Sequence, residues 1–182
     1  MGMAIAVPRY TIEDLDRFPG DGNRYELLDG VLLVTPAPSQ LHQVVASRLF
    51  VQLVEGMRSA GVGRVVGPGA IAVPPHTQLQ PDILIYPSNF PLTAKWEEID
   101  EHWLAVEVLS RSSRIYDREF KRDAYLALGV REVWLVDSRA RNVEVCRARG
   151  LAQVVRDIVR LQVWAADVVI AIDLAEVFAG IG

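Results

Sequence analysis

The chain has 182 residues, 51% of them hydrophobic, and a formal net charge of −4. This length predicts one domain, residues 1–182, with a core that needs no disulfide bonds or structural metal. A single cysteine, Cys146, and only three histidines exclude a disulfide scaffold and a zinc finger. No apolar stretch approaches the ~18 residues of a membrane span, and no secretory leader is evident, so we expect a cytoplasmic protein without a membrane partner.

Basic residues concentrate between residues 111 and 160 of an otherwise acidic chain. This distribution permits a local surface for a polyanion, although a solvated surface explains the charge more simply. Only two of the 19 basic residues are lysines, Lys95 and Lys121. Lysine presents a compact ammonium that can lose its proton when it is desolvated, whereas arginine stays protonated. We therefore treat Lys121, which lies in a predicted helix, as a candidate for a chemical role.

Hydrophobic periodicity predicts both helices and strands. A capping box at Thr11 begins a short helix, and Asp29-Gly30 between two apolar runs predicts a β-hairpin with Glu26 in its first strand. Ser39 caps a long amphipathic helix that extends to about Ala60. The other predicted elements are one or two short strands within 61–73, strands at 81–86 and 103–109, a helix from Ser113 to about Leu128 closed by Gly129, strands at 133–136, 143–146 and 168–172, and a terminal helix from Asp173. This order predicts an α/β or α+β fold, with helices packed on a mixed sheet.

Two carboxylates and a lysine lie in or beside these apolar elements. Glu107 interrupts one apolar strand, Asp82 stands at the start of another, and Lys121 lies on the helix that follows. Each has a structural explanation: a solvated strand end for Glu107, a turn for Asp82, and a surface ion pair with Asp117 for Lys121. Together they form the parts of a site for Mg²⁺, which binds through one or two carboxylates plus a substrate phosphate. The combination favours phosphodiester hydrolysis.

Several short motifs follow one another in a characteristic order. They are Arg24 to Gly30 (RYELLDG), Pro36 through His42, Pro81-Asp82, Val106 to Ser110 (VEVLS), Tyr116-Asp117 with Lys121 and Tyr125, and Gly129 to Asp137 (GVREVWLVD). From about Tyr10 to Phe178, the chain resembles the Uma2 family, formerly a domain of unknown function. That family is assigned to the PD-(D/E)XK restriction-endonuclease-like superfamily.

The resemblance implies a restriction-endonuclease-like core and a metal-dependent endonuclease that hydrolyses DNA, with duplex DNA as the expected partner. Asp82 is then the PD aspartate and Glu107 the second acidic residue. Both would bind Mg²⁺ or Mn²⁺ together with the backbone carbonyl of Val108. The superfamily motif places lysine two residues after the glutamate, where this chain has Leu109. In the Uma2 pattern the lysine lies on the next helix, so Lys121 is the expected catalytic lysine.

Further site residues follow from the same resemblance. Glu26 is expected as an additional catalytic residue, which would either bind the metal directly or contact one of the metal's ligands. Alternatively, Glu26 is an exposed strand residue. His42 is expected to orient the scissile phosphate or to cap its helix. Arg114 and Arg118 are expected to bind substrate phosphates, which predicts salt-dependent binding.

Two other functions are consistent with the sequence. The net acidity and the missing lysine at Leu109 favour a non-catalytic module of nuclease fold that binds nucleic acid or serves assembly. A phosphoesterase acting on a small substrate is the other alternative. If the protein cuts both strands of a duplex, two active sites are needed, which makes a homodimer the expected assembly.

Overall fold

The computed structural model describes residues 9–110 and 120–181, in which strands outnumber helices. Within these ranges there is also a 3₁₀ turn, Trp96–Glu98. The elements, in chain order, are α1 (Ile12–Leu15), β1 (Arg24–Leu28), β2 (Val31–Thr35), α2 (Gln40–Ala60), β3 (Gly63–Val66), β4 (Ile71–Val73), β5 (Thr77–Leu79), β6 (Ile83–Pro87), β7 (Leu104–Val108), α3 (Arg122–Ala127), β8 (Glu132–Asp137), β9 (Asn142–Cys146), β10 (Gln153–Val155), β11 (Ile158–Val163), β12 (Val168–Asp173) and α4 (Leu174–Val177).

A mixed sheet of six strands forms the centre, in the order β10-β9-β8-β7-β6-β3. Its one parallel pair is β7–β8, in which Glu107 lies opposite Leu135 and Val108 opposite Val136. A second, antiparallel sheet has the order β2-β1-β5-β4, and β11 pairs with β12 as a separate ribbon. Because β7 and β8 run parallel, their carboxyl ends lie at the same edge of the central sheet.

The hairpin and the long helix form where local signals predict them. Asp29 and Gly30 have φ values of 50° and 80°, as a two-residue hairpin turn requires, and they join β1 to β2. The Ser39 hydroxyl accepts a hydrogen bond from the His42 backbone N–H at 3.3 Å, which caps α2. Gly61, with φ 70°, ends this helix. Both predictions are confirmed with their predicted boundaries.

Side chains alternate between two apolar clusters on opposite faces of the central sheet. From β7, Val106 and Val108 join a cluster that α2, the β11–β12 ribbon and α4 complete. Ala105, which directly precedes Val106 in the strand, belongs to the other cluster, which includes Tyr125 of α3. Since successive strand residues face opposite sides, Glu107 shares the Ala105 face, toward α3.

Other elements differ from the prediction. Three strands were not predicted, β5, β10 and β11, and the first two have only three residues each. β5 pairs with its neighbour β4, where Leu79 lies opposite Ile71, and with the distant strand β1, where Gln78 lies opposite Leu27. The helix predicted from Ser113 begins outside the described residues, and its C-terminal part is α3, followed by Gly129 with φ 89°. No helix in the described ranges is both long and apolar enough to span a bilayer.

Candidate active site

The Asp82 carboxylate lies directly before β6, where α2 and both larger sheets meet. Arg24 of β1 donates from Nη1 to Oδ1 at 3.0 Å. Oδ2 accepts the backbone N–H of Val108 at 2.8 Å and lies 2.9 Å from Nε2 of His42. The side chain is only 5% exposed. Three elements that are far apart in sequence therefore fix the position of one carboxylate.

The surroundings of Asp82 keep it charged although it is buried. Burial raises the pKa of its carboxyl, but the His42 hydrogen bond and charge, the Arg24 charge and the Val108 amide together hold the pKa below its ordinary value. Burial similarly lowers the pKa of Arg24, and the carboxylates of Asp82, Glu107 and Glu26 outweigh it and raise that pKa. Both groups are thus ionised at neutral pH.

Lys121 lies between two carboxylates that come from different sheets. Its Nζ is 2.6 Å from Oε2 of Glu26 in β1 and 3.3 Å from Oε1 of Glu107 in β7. The contact between Nζ of Lys121 and Oε2 of Glu26 is an ion pair whose angles are not those of a hydrogen bond. The other oxygen of Glu26, Oε1, accepts the backbone N–H of Gln80 at 2.7 Å. All three charged side chains are at most 3% exposed. The lysine therefore bridges the two sheets in a nearly dry environment.

Tyr125 completes this buried group from α3. Its hydroxyl donates to Oε1 of Glu107 at 2.7 Å. Burial, followed by the Glu107 charge, raises the pKa of Tyr125 well above its ordinary value. The hydroxyl consequently stays protonated, so one oxygen of Glu107 receives hydrogen bonds from both Tyr125 and Lys121.

A cleft of about 640 Å³ opens onto these groups at the carboxyl ends of β7 and β8. Glu26 is fully buried and does not line it, and it contacts Lys121, which does. Behind Asp82, a Cβ on Gly67 would stand 2.8 Å from the Asp82 carbonyl oxygen, closer than real Cβ atoms come. The lining residues are Arg24, Thr35, Pro36, Ala37, Pro38, Ser39, Leu41, His42, Asp82, Glu107, Val108, Leu109, Ser110, Lys121, Asp137, Ser138 and Arg139.

The carboxylates of the cleft suit a hard metal cation, but they are arranged around positively charged side chains of the protein itself. Asp82 and Glu107 offer carboxylate oxygens to one cleft, and such oxygens are the preferred ligands of Mg²⁺ and Mn²⁺. Within the described ranges, no three His, Cys, Asp or Glu side chains are placed to hold a metal together. Arg24 and Lys121 contact the acidic oxygens instead. A metal fits this donor set if these contacts rearrange.

The structure brings five of the predicted site residues to the cleft. They are His42, Asp82, Glu107, Val108 and Lys121. Arg114 and Arg118, as well as Asp117, lie outside the described residues.

The sequence indicated no role for Arg24. It also did not indicate that the Tyr125 hydroxyl donates a hydrogen bond to Glu107. A signal for Arg24 was available, because it stands two residues before Glu26 in one strand and therefore faces the same side. Asp137, another lining residue, accepts the backbone N–H groups of Arg139 and Ala140 and shapes the turn after β8.

Comparison with known proteins identifies the family and the fold of the chain. The family model of Uma2, described as "Putative restriction endonuclease", matches residues 12–174. The chain belongs to the Uma2 family. The crystal structure of "a putative nuclease belonging to DUF820" from Anabaena variabilis ATCC 29413 is similar, with a TM-score of 0.75 and 17% sequence identity over 92% of this chain and 97% of that chain. At that identity the likeness shows the fold alone.

The predicted family and the predicted restriction-endonuclease-like fold are both confirmed. No curated protein sequence matches this Uma2 chain. The family description indicates a nuclease, and the roles of individual residues rest on the geometry of the cleft.

Proposed function

We propose that this Uma2 protein is a divalent-metal-dependent endonuclease that hydrolyses phosphodiester bonds in DNA. One observation carries the proposal: Asp82, Glu107 and Lys121, from three different elements, reach the same cleft. Lys121 is buried and held by two carboxylates, which is an uncommon position for a lysine with a purely structural role. The family description and the nuclease-like fold support the same class of reaction.

The acidic residues supply the ligands in this proposal. Asp82, Glu107 and the backbone carbonyl of Val108 would hold Mg²⁺ or Mn²⁺. When bound, the metal polarises the scissile phosphate and lowers the pKa of a coordinated water. Tyr125 fixes the orientation of Glu107 through its hydrogen bond, and His42 fixes that of Asp82. Carboxylates held in this way can keep their position as the ligand arrives.

Lys121 acts on the attacking water and on the charge that develops at the phosphate. Its ammonium lies 3.3 Å from a Glu107 oxygen, so a water beside that carboxylate is within its reach. A positive charge at this place stabilises the additional negative charge of the transition state. Glu26 positions the ammonium from behind at 2.6 Å without reaching the cleft, and it is therefore a positioning residue.

The DNA backbone would enter along the open side of the cleft, beside Arg24 and His42. Phosphate contacts of this kind make binding salt-dependent. Arg114 and Arg118 stay predicted phosphate contacts. Duplex DNA as the substrate and a homodimer as the cutting form are also part of this proposal.

Cleavage of supercoiled plasmid DNA in Mg²⁺, Mn²⁺ or EDTA tests the proposal. We expect metal-dependent nicking by the wild type, and at least ~100-fold slower nicking by Asp82→Asn, Glu107→Gln and Lys121→Met. Lys95→Met is the matched control, because Lys95 is the only other lysine and its side chain is 75% exposed. Circular dichroism of every variant establishes that it is folded. Full activity in EDTA, or in folded Asp82→Asn and Glu107→Gln, would contradict the proposal.

A second function, binding of nucleic acid without cleavage, is favoured by one observation. Asp82 and Glu107 already accept contacts from Arg24, His42, Lys121 and Tyr125, as in a structural polar network. For this function we expect salt-sensitive DNA binding in EDTA that is unchanged in Asp82→Asn. Nicking that requires metal would rule it out.

A further inference from the structure

Arg24 has more freedom to change partners than Lys121, the other cation that contacts the acidic side chains of the site. Its side chain is 22% exposed, compared with 3% for Lys121. It lines the main cleft and also a neighbouring cleft of about 250 Å³. Within the described residues, its hydrogen bonds to Asp82 and to the Gln80 carbonyl both come from Nη1, at 3.0 Å each. Nη2 and Nε are therefore available to a further acceptor.

The charges around Arg24 make its place sensitive to a bound metal. Arg24 donates to Asp82, and the charges of Asp82, Glu107 and Glu26 all act on its guanidinium and raise its pKa. A divalent ion on Asp82 and Glu107 would neutralise two of them and would repel the guanidinium from Oδ1 of Asp82. His42 and the Val108 amide hold the other oxygen, Oδ2, so they can keep the carboxylate oriented while Oδ1 changes partner.

The chemistry of the guanidinium indicates its next acceptor. Arginine binds phosphate oxygens through two parallel N–H groups, and its planar, weakly hydrated head makes it well suited to that anion. A phosphodiester coordinated by a metal on Asp82 would lie next to Arg24, in the cleft that Arg24 already lines. A rotation of the partly exposed side chain is enough to reach it.

We propose that Arg24 couples metal binding to substrate binding: it holds Oδ1 of Asp82 in the free protein and moves to the scissile phosphate when a divalent ion binds that carboxylate. This inference rests on the proposed function. It explains why the acidic side chains gather around the chain's own cations, with no metal-binding group of three in the described ranges. Arg24 is then both a competitor of the metal and a ligand of the substrate.

Calorimetric titration with Mn²⁺ tests this coupling without any cleavage step. The probe for substrate is dimethyl phosphate, a stable phosphodiester with one negative charge. In the wild type we expect dimethyl phosphate to tighten Mn²⁺ binding, because the coupling between two ligands is reciprocal. In Arg24→Gln we expect Mn²⁺ to bind at least ~10-fold more tightly without dimethyl phosphate, and the tightening by dimethyl phosphate to fall by at least ~10-fold.

Two variants serve as controls for charge and for folding. Arg17→Gln removes an exposed arginine that pairs with Asp14, and we expect it to behave as the wild type. Arg24→Lys keeps the charge but lacks the fork of N–H groups, so we expect its affinity for Mn²⁺ alone to be close to that of the wild type and its coupling to be weakened. Loss of a positive charge alone would raise Mn²⁺ affinity in Arg24→Gln and leave the coupling intact. That result would overturn the inference.

Nuclear magnetic resonance of the wild type gives a second measurement that needs no variant. We expect the Nε–H signal of Arg24 to shift on addition of Mg²⁺ and to shift again on addition of dimethyl phosphate. A signal unchanged by both ligands would overturn the inference, as would equal coupling in the wild type and Arg24→Gln. Those failures leave the proposed nuclease intact, whereas a wild type that binds no Mn²⁺ overturns both proposals.

Discussion

The two halves of the candidate site hold their carboxylates in different ways. Asp82 is bound by Arg24 and His42, whose side chains are 22% and 11% exposed. Glu107 shares its lysine with Glu26 in a group in which every charged side chain is almost completely buried. The first half borders two clefts and can exchange partners with solvent and ligands. The second is part of the packing between the sheets, so damage there is expected to affect stability as well as chemistry.

The largest effect is expected at Lys121. Lys121→Met removes the ammonium that lies between the buried carboxylates of Glu26 and Glu107, which lowers the free energy of unfolding by about 3–5 kcal/mol. Urea denaturation measures this change. The double variant Lys121→Met with Glu26→Gln should recover part of the loss, and Lys95→Met should stay within about 0.5 kcal/mol of the wild type. A single Lys121→Met variant as stable as the wild type would show that the buried half is not a structural ion-pair group.

An intermediate effect is expected at His102, whose side chain is buried like those of the site residues. Neither of its ring nitrogens has a hydrogen-bond partner among the described residues. Burial, opposed by Asp100 and Glu101, lowers the pKa of His102 from 6.5 to about 4. Asp82 is buried with hydrogen-bond partners and stays charged at neutral pH. The ring of His102 is buried without a hydrogen-bond partner among the described residues and stays neutral.

This difference has a consequence for stability in acid. The unfolded chain binds a proton at His102 near pH 6.5 and the folded chain only near pH 4. The free energy of unfolding should therefore decrease as the pH falls through this window, by an amount on the order of 3 kcal/mol. Urea titrations at several pH values measure the slope. His102→Leu should make it shallower, and a slope in His102→Leu equal to that of the wild type would contradict this prediction.

The smallest effect is expected at an exposed ion pair. Arg131 contacts Glu101 at the surface, where both side chains are well exposed. Arg131→Gln should change the free energy of unfolding by less than about 1 kcal/mol, because solvent screens the pair. Thermal unfolding at low and high salt checks this. If Arg131→Gln lowered the free energy of unfolding as much as Lys121→Met, burial would not determine how much an ion pair stabilises this protein.

Local signals in the sequence account for much of the fold. The Asp29-Gly30 turn, the Ser39 cap and the Gly129 helix end each depend on neighbouring residues, and all three are where they were predicted. β5 and β11 were missed for a different reason. The first is three residues long and pairs with the distant strand β1, and the second carries the polar residues Arg160 and Gln162 between its apolar residues.

The site was harder to predict than the fold because its contacts cross long stretches of sequence. Arg24 and Asp82 are 58 residues apart, and no periodicity within either strand indicates their contact. Glu26 could equally well have been an exposed hairpin residue, since a two-stranded hairpin does not show which of its faces another sheet covers. Lys121 stood out through chemistry, as one of two lysines in an arginine-rich chain.

The position of Asp82 in the candidate site depends on Gly67, a residue that has no functional group of its own. Its backbone lies so close to the carbonyl oxygen of Asp82 that a Cβ would come within 2.8 Å of it. Every other amino acid carries that carbon, so any missense mutation of this codon would push on the backbone that places Asp82. In a genetic screen such an allele would look like a packing defect in a remote loop. Its phenotype, however, would be that of a damaged active site.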